Sequence, residues 1–165
     1  NFRGVASPYS LDYVPGPRMN SIQVSKGASS VRNGYESITG QIDVEYLKTD
    51  NDQGATINLY GSSLGRFEAN VDGNLHIGQR LSTELLAHYQ DDWAHHDINH
   101  DSFLDQPNVR QVNVQNRWKW RGERYLFHAG MGYINEKRVG GQTHHTAPDM
   151  LHLYGINIKI DRYEG

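Results

Sequence analysis

The sequence predicts a mainly β protein whose last two thirds form an antiparallel meander. From Gly54 onward, apolar and polar residues alternate with a period of two. The alternating runs are roughly 9–13 residues long, against about 5–6 for an ordinary strand. They are separated by Gly-containing turns or by two long polar segments, as antiparallel neighbours require.

Taken in order, the first run is 55–62, with Ala55, Ile57 and Leu59 against Thr56, Asn58 and Tyr60. A tight Ser63-Leu64-Gly65 turn leads to 66–77. There Phe67, Val71, Leu75 and Ile77 oppose Glu68, Asn70, Asp72, Asn74 and His76. After Gly78-Gln79-Arg80 come a third run, 81–93, and a long polar loop, 94–107. The fourth run, 108–120, sets Val112, Val114, Trp118 and Trp120 against Gln111, Asn113, Gln115, Arg117 and Lys119. Arg121-Gly122-Glu123 turns into the fifth, 124–136, whose Tyr125, Phe127, Ala129, Met131 and Tyr133 make the more apolar face. A second polar loop spans 138–150. The sixth run, 151–162, carries Ile156, Ile158 and Ile160 against Asn157, Lys159 and Asp161.

Composition narrows the class. The chain has 165 residues, 36% of them hydrophobic, with ten Tyr and three Trp. No run of 18 apolar residues is present, which removes a membrane-spanning helix but not a transmembrane β-barrel, whose strands of about 9–11 residues need only alternate. A net charge of −3 gives no basic footprint for nucleic acid. Zero cysteines removes disulfides and thiolate sites. The chain starts at Asn1 and stops directly after an alternating run, so a piece of a longer protein is expected. Short turns alternate with long loops, and Trp93, Trp118, Trp120, Tyr125 and Tyr133 sit near strand ends, where the aromatic girdle of a barrel belongs. A soluble antiparallel sandwich gives the same alternation.

Residues 1–20 are held extended by Pro8, Pro15 and Pro17, with room for a short helical turn near Gly16–Asn20. The stretch from Ile22 to Val44 then reads as strand, small residues, turn, strand. Ile22 and Val24 alternate with Gln23 and Ser25, and the strand breaks at Lys26-Gly27. Ala28-Ser29-Ser30 follows, Asn33-Gly34 is a strong turn pair, and Thr39-Gly40-Gln41-Ile42-Asp43-Val44 is a second alternating strand.

This ordered stretch resembles the end of the plug domain of TonB-dependent outer-membrane receptors. In that family a strand ends in a basic residue plus Gly and runs through small residues to a Gly turn. A Gly-containing strand then leads to the barrel. Ala28 stands where the family often has Pro, and Thr39 where it often has a second Gly. The resemblance implies the C-terminal part of a plug domain over 1–50, followed over 51–165 by the first five or six strands of a transmembrane β-barrel. It implies a non-enzymatic fragment of an active-transport receptor in the outer membrane, embedded in outer-membrane lipid and energised by the TonB complex. It also implies that Lys26 and Arg32 hold the plug against the barrel wall. The cargo is left open among iron-siderophore, metal ion, cobalamin and oligosaccharide, with the histidine content tilting toward metal. The rival expectation is a soluble β-rich binding module stabilised by calcium. Open strand edges would also let the fragment self-associate.

Two loop clusters are candidate metal sites. Asp97, Asn99, Asp101 and Asp105 match positions 1, 3, 5 and 9 of an EF-hand-type Ca²⁺ loop, although Ser102 and Asn108 replace its Gly and bidentate Glu. The same residues fit a solvated acidic loop closed by Asx turns. His95 and His96 in the first loop and His144 and His145 in the second are candidate ligands for a transition metal, or plain surface histidines. No nucleophile elbow, phosphate-cradling Gly loop or HExxH motif is present.

Overall fold

The computed structural model describes residues 12–27, 40–46, 54–143 and 154–165. The Asn33-Gly34 turn, Arg32, His144, His145 and the expected domain boundary near residue 50 lie outside the described residues. A 3-10 turn, Gly16–Arg18, is set by Pro15 and Pro17 and ends where β1 begins. β1 (Met19–Lys26) pairs antiparallel with β2 (Gly40–Tyr46), Ile22 opposite Val44 and Val24 opposite Ile42.

The second sheet has six strands in strict chain order: β3 (Gly54–Ser62), β4 (Arg66–Ile77), β5 (Leu81–Asp92), β6 (Asn108–Arg121), β7 (Leu126–Gly141) and β8 (Gly155–Glu164). Every neighbouring pair is antiparallel. The sheet is not closed, and β3 and β8 are its edges.

Two strands differ from the sequence expectation by more than one residue. β7 starts at Leu126 rather than 124 and runs on to Gly141, so Arg138 to Gly141 are strand, not loop. Glycine makes this possible: Gly141 has φ 120°, and a Cβ there would lie 2.4 Å from the Tyr154 carbonyl oxygen. Gly65 plays the same part in the β3–β4 turn, where φ is 73° and a Cβ would meet that of Ala94 at 2.2 Å. The second difference is β8, which begins at Gly155 and pairs only with Gly132–Gly141, the half of β7 nearest the long loops. Its Ile156, Ile158 and Ile160 therefore share a side with Ile134, Glu136 and Arg138, not with Phe127, Ala129, Met131 and Tyr133.

The register resolves the sheet into cross-strand rows. On one side lie Ile77–Leu81–Trp120–Phe127, then Leu75–Thr83–Trp118–Ala129, then Gly73–Leu85–Asn116–Met131. Val71–Ala87–Val114–Tyr133–Tyr163 follows, then Ala69–Tyr89–Val112. The opposite side carries Asn70, Asp72, Glu84, His88, Gln111, Asn113, Arg117, Glu136 and Arg138.

Residues 12–18 and the β1–β2 hairpin touch this polar side. Among the described residues four hydrophobic residues are buried, Tyr13, Leu86, Val109 and Ile134, against eleven polar or charged ones. A sheet with one face in water buries its apolar face. Here Leu75, Ile77, Leu85, Trp120, Phe127 and Met131 are exposed instead.

Candidate functional site

The Pro15-Gly16-Pro17 turn delivers Arg18 to the centre of the polar face, where the residue is 1% exposed. Its Nη2 donates to the Asn113 carbonyl at 2.9 Å and its Nη1 to Asn113 Oδ1 at 3.4 Å. Asn113 Nδ2 donates in return to the Tyr13 carbonyl at 2.8 Å. These bonds tie residues 13 and 18 to the middle of β6 and match the two terminal nitrogens of the buried guanidinium, while its Nε has no hydrogen-bond partner among the described residues.

A second tie lies toward the long loops. Arg138 Nη2 donates to Asp12 at 2.7 Å, and the same guanidinium pairs with Glu136, whose side chain is fully buried. The hairpin contributes Tyr46: the Arg117 guanidinium carbon stands 4.7 Å from its ring centroid, a cation–π contact, while Arg117 also reaches Glu84 at 3.6 Å.

Burial pulls Arg18 down to about 10, opposed by the nearby Tyr46 and Asp72, so it stays charged at neutral pH. Burial, reinforced by the Glu136 charge, pushes the Tyr13 phenol up to about 12. Tyr46 is raised too, chiefly by burial.

A cavity of about 350 Å³ opens between Asp12–Gly16 and the upper part of the polar face. Arg66, His88, Gln90, Asp92 and Arg138 line it, with Gln106 and Pro107 at its edge. His88 is 4% exposed, and its Nδ1 lies 2.7 Å from Asn70 Oδ1. An amide oxygen only accepts, so with Asn70 oriented this way Nδ1 carries the proton, and the Gln90 side chain is a further hydrogen-bonding neighbour of the ring. Among the described residues, His88 Nε2 and Asp92 Oδ1 are buried with no closer hydrogen-bond partner. Buried acceptors without a close partner are rare in native proteins and call for a donor.

The apolar side handles its few polar groups differently, pairing them with one another. Asn116 Nδ2 donates to Thr83 Oγ1 at 3.1 Å and to the Glu84 carbonyl at 3.0 Å. Thr83 Oγ1 donates to the Arg117 carbonyl at 3.1 Å, and Trp118 Nε1 donates to Asn116 Oδ1.

The first long loop is closed by its own acidic side chains. Asp97 accepts from the Asp101 and Ser102 amides at 3.0 and 2.9 Å, Asp101 from Phe103 at 2.8 Å, and Asp105 from Ile98 at 2.8 Å. Asn99 Nδ2 donates to Asp101 at 2.9 Å. Among the described residues no three His, Asp or Glu side chains come together as a metal-holding group. His95 is exposed, and His96 Nε2 donates to the Leu64 carbonyl at 2.6 Å, pinning the β3–β4 turn. The loop also joins the end of β7: Leu104 donates to the Gly141 carbonyl and Thr143 to that of Ser102, both at 2.8 Å.

Lys26 is exposed at the end of β1. The cation that reaches the sheet is Arg18, which alternation does not single out because it precedes the first strand. The Pro-Gly-Pro-Arg turn was the available signal. His88 was visible only as a strand histidine, because its burial depends on which face is covered. No protein-family profile, curated protein or solved structure matches the chain.

Proposed function

We propose that this chain is part of a TonB-dependent outer-membrane receptor, in which residues 12–46 belong to the plug and β3–β8 to the barrel wall. The observation that carries this is the inverted burial of the sheet, polar side covered and apolar side open. A barrel wall around an aqueous lumen has this arrangement and a water-soluble sandwich has its opposite.

The dimensions agree. From Leu81 to Tyr89 the apolar band covers eight residue steps, roughly 26 Å along the strand at about 3.3 Å per residue. At a tilt of about 40° it is some 20 Å tall, close to the apolar belt of about 25 Å found on such barrels. Trp118, Trp120 and Phe127 mark one border. The other carries Tyr89 and the Tyr133–Tyr163 ring pair, with centroids 5.0 Å apart. Both long loops then lie on the outer side of the membrane and the Gln79 and Gly122 turns on the inner side.

The ligand enters from the long-loop side and meets the cavity beside Asp12 and His88, whose buried acceptors suit a cargo that brings hydrogen-bond donors or a metal ion. TonB-driven withdrawal of the plug would then break the Arg18–Asn113 and Asp12–Arg138 ties.

The test is ligand accumulation by cells expressing the whole protein, with the TonB complex intact or deleted, across iron chelates, metal ions, cobalamin and oligosaccharides. Accumulation of one ligand that collapses without the complex is the expected result. A protein recovered as a monodisperse monomer in plain buffer, without detergent, would overturn the proposal in favour of a soluble binding module.

A further inference from the structure

Directly above the apolar band the register sets three cations side by side. Arg110 faces Lys137, and Lys137 faces Lys159, on three adjacent strands and on the same side as the band. Neighbouring strands are about 4.8 Å apart, so the three Cα atoms fall within about 10 Å. Like charges placed directly opposite each other destabilise a sheet, and here the arrangement occurs twice in succession.

The outer two cations have partners: Arg110 bonds Asp91 at 2.9 Å, and Lys159 lies 3.4 Å from Asp161. Lys137, in the middle, has no ion pair among the described residues. All three are exposed. A cavity of about 200 Å³ opens beside Arg110 and Lys137, and Asp91, Asp92, Trp93 and Val139 also line it. The site thus sets two of the three cations beside an aromatic and an aliphatic side chain, with Asp91 already paired to Arg110 and Asp92 to Arg66.

We propose that this row binds the phosphate of an anionic lipid headgroup in the outer leaflet. The proposal rests on the barrel assignment above, which fixes the height of the row. It stands one row, about 7 Å along the strand, beyond Tyr89 and Val112, where acyl chains give way to headgroups. Lysine serves as a point charge for phosphate and arginine as a planar fork. A phosphate seated over Lys137 would relieve its repulsion with both neighbours, while the indole of Trp93 covers the adjoining apolar part of the lipid. Asp91 and Asp161 at the ends of the patch keep it from becoming a general anion sink.

The test uses the whole protein, wild type and Lys137→Gln/Lys159→Gln, reconstituted in zwitterionic phospholipid vesicles. A bisphosphorylated glucosamine-disaccharide lipid, its dephosphorylated form and inorganic phosphate are titrated in turn, and lipid co-purifying with the protein is counted by native mass spectrometry. The expected result is selective retention of the phosphorylated lipid, roughly tenfold or more weaker in the double variant. Equal retention with and without phosphate, or equal retention by both proteins, would overturn the inference while leaving the barrel intact. Displacement of the lipid by millimolar inorganic phosphate would overturn the lipid as the source of the bound group. Failure of both proteins to enter vesicles of any composition would instead remove the barrel assignment, and the inference with it.

Discussion

Asn113 and Val114 are adjacent in β6 and meet opposite fates. Asn113 is fully buried, bonded to Arg18 and Tyr13, while Val114 points to the open side among Ala87 and Tyr133. The same contrast runs along β5, where Glu84, His88 and Gln90 are buried and Leu85 and Tyr89 are exposed. Alternation alone says that a strand has two unlike faces. Which face is covered says what lies on each side. The covered face is built from charges that need one another, and the open face from side chains that need no water.

Breaking the charge pairing should cost most. Arg138→Ala leaves the Glu136 carboxylate, fully buried, without its principal counter-charge. A loss of about 3–5 kcal/mol is expected in urea unfolding from lipid vesicles. Adding Glu136→Gln should recover most of it, because the cost is that of an orphaned charge. No recovery would mean that Arg138 contributes through packing or through Asp12 instead.

A charge placed on the other face sharpens the contrast. Met131 is 64% exposed in the middle of the apolar band. If that face meets lipid, Met131→Arg should destabilise the inserted protein by about 2–4 kcal/mol. On a water-facing surface the same change stays within about 0.5 kcal/mol. The two outcomes are separated by more than the error of a denaturant titration.

The smallest of the three effects should come from Arg18→Ala. It removes one short charge-assisted hydrogen bond to the Asn113 carbonyl and a long one, at 3.4 Å, to its side chain, the short bond being worth on the order of 2 kcal/mol. The loss should be local. Amide exchange in β1, β2 and residues 12–18 should speed up while β4–β7 stay protected. Uniform loss of protection across both sheets would show that the hairpin is an integral part of the wall and not a separable element.

Much of the fold was legible. The limits of β4 agree with the expected run at both ends, because Gly65 and Gly78 punctuate a clean alternation. The pairing order follows from short turns joining antiparallel strands. What period two could not reveal was the direction of burial, since an inside-out sheet and an ordinary one alternate alike. That ambiguity hid His88, whose buried Nε2 matters only because its side is covered. The extension of β7 through Gly140 and Gly141 reads as loop because paired glycines usually interrupt a strand, whereas here Gly141 admits the close approach of Tyr154 and Gly155. The isoleucines of β8 fall on the side of Glu136 and Arg138 because the register sets Ile160 opposite Glu136 and Ile158 opposite Arg138. Arg18 is hard to single out because its partner Asn113 lies 95 residues away, and the Pro-Gly-Pro-Arg turn is the one local signal it leaves.

The most direct measurement is a site-directed spin-label scan of β6 in the membrane-reconstituted protein. These 165 residues contribute no native cysteine, so each introduced label in β6 is unambiguous within them. Labels at 112, 114 and 118 should collide with dissolved oxygen and be shielded from a water-soluble nickel chelate, while labels at 111 and 113 should be shielded from both. Nickel-chelate access at 112, 114 and 118 equal to that of a soluble surface would mean that the apolar side faces water, and the barrel assignment would fall.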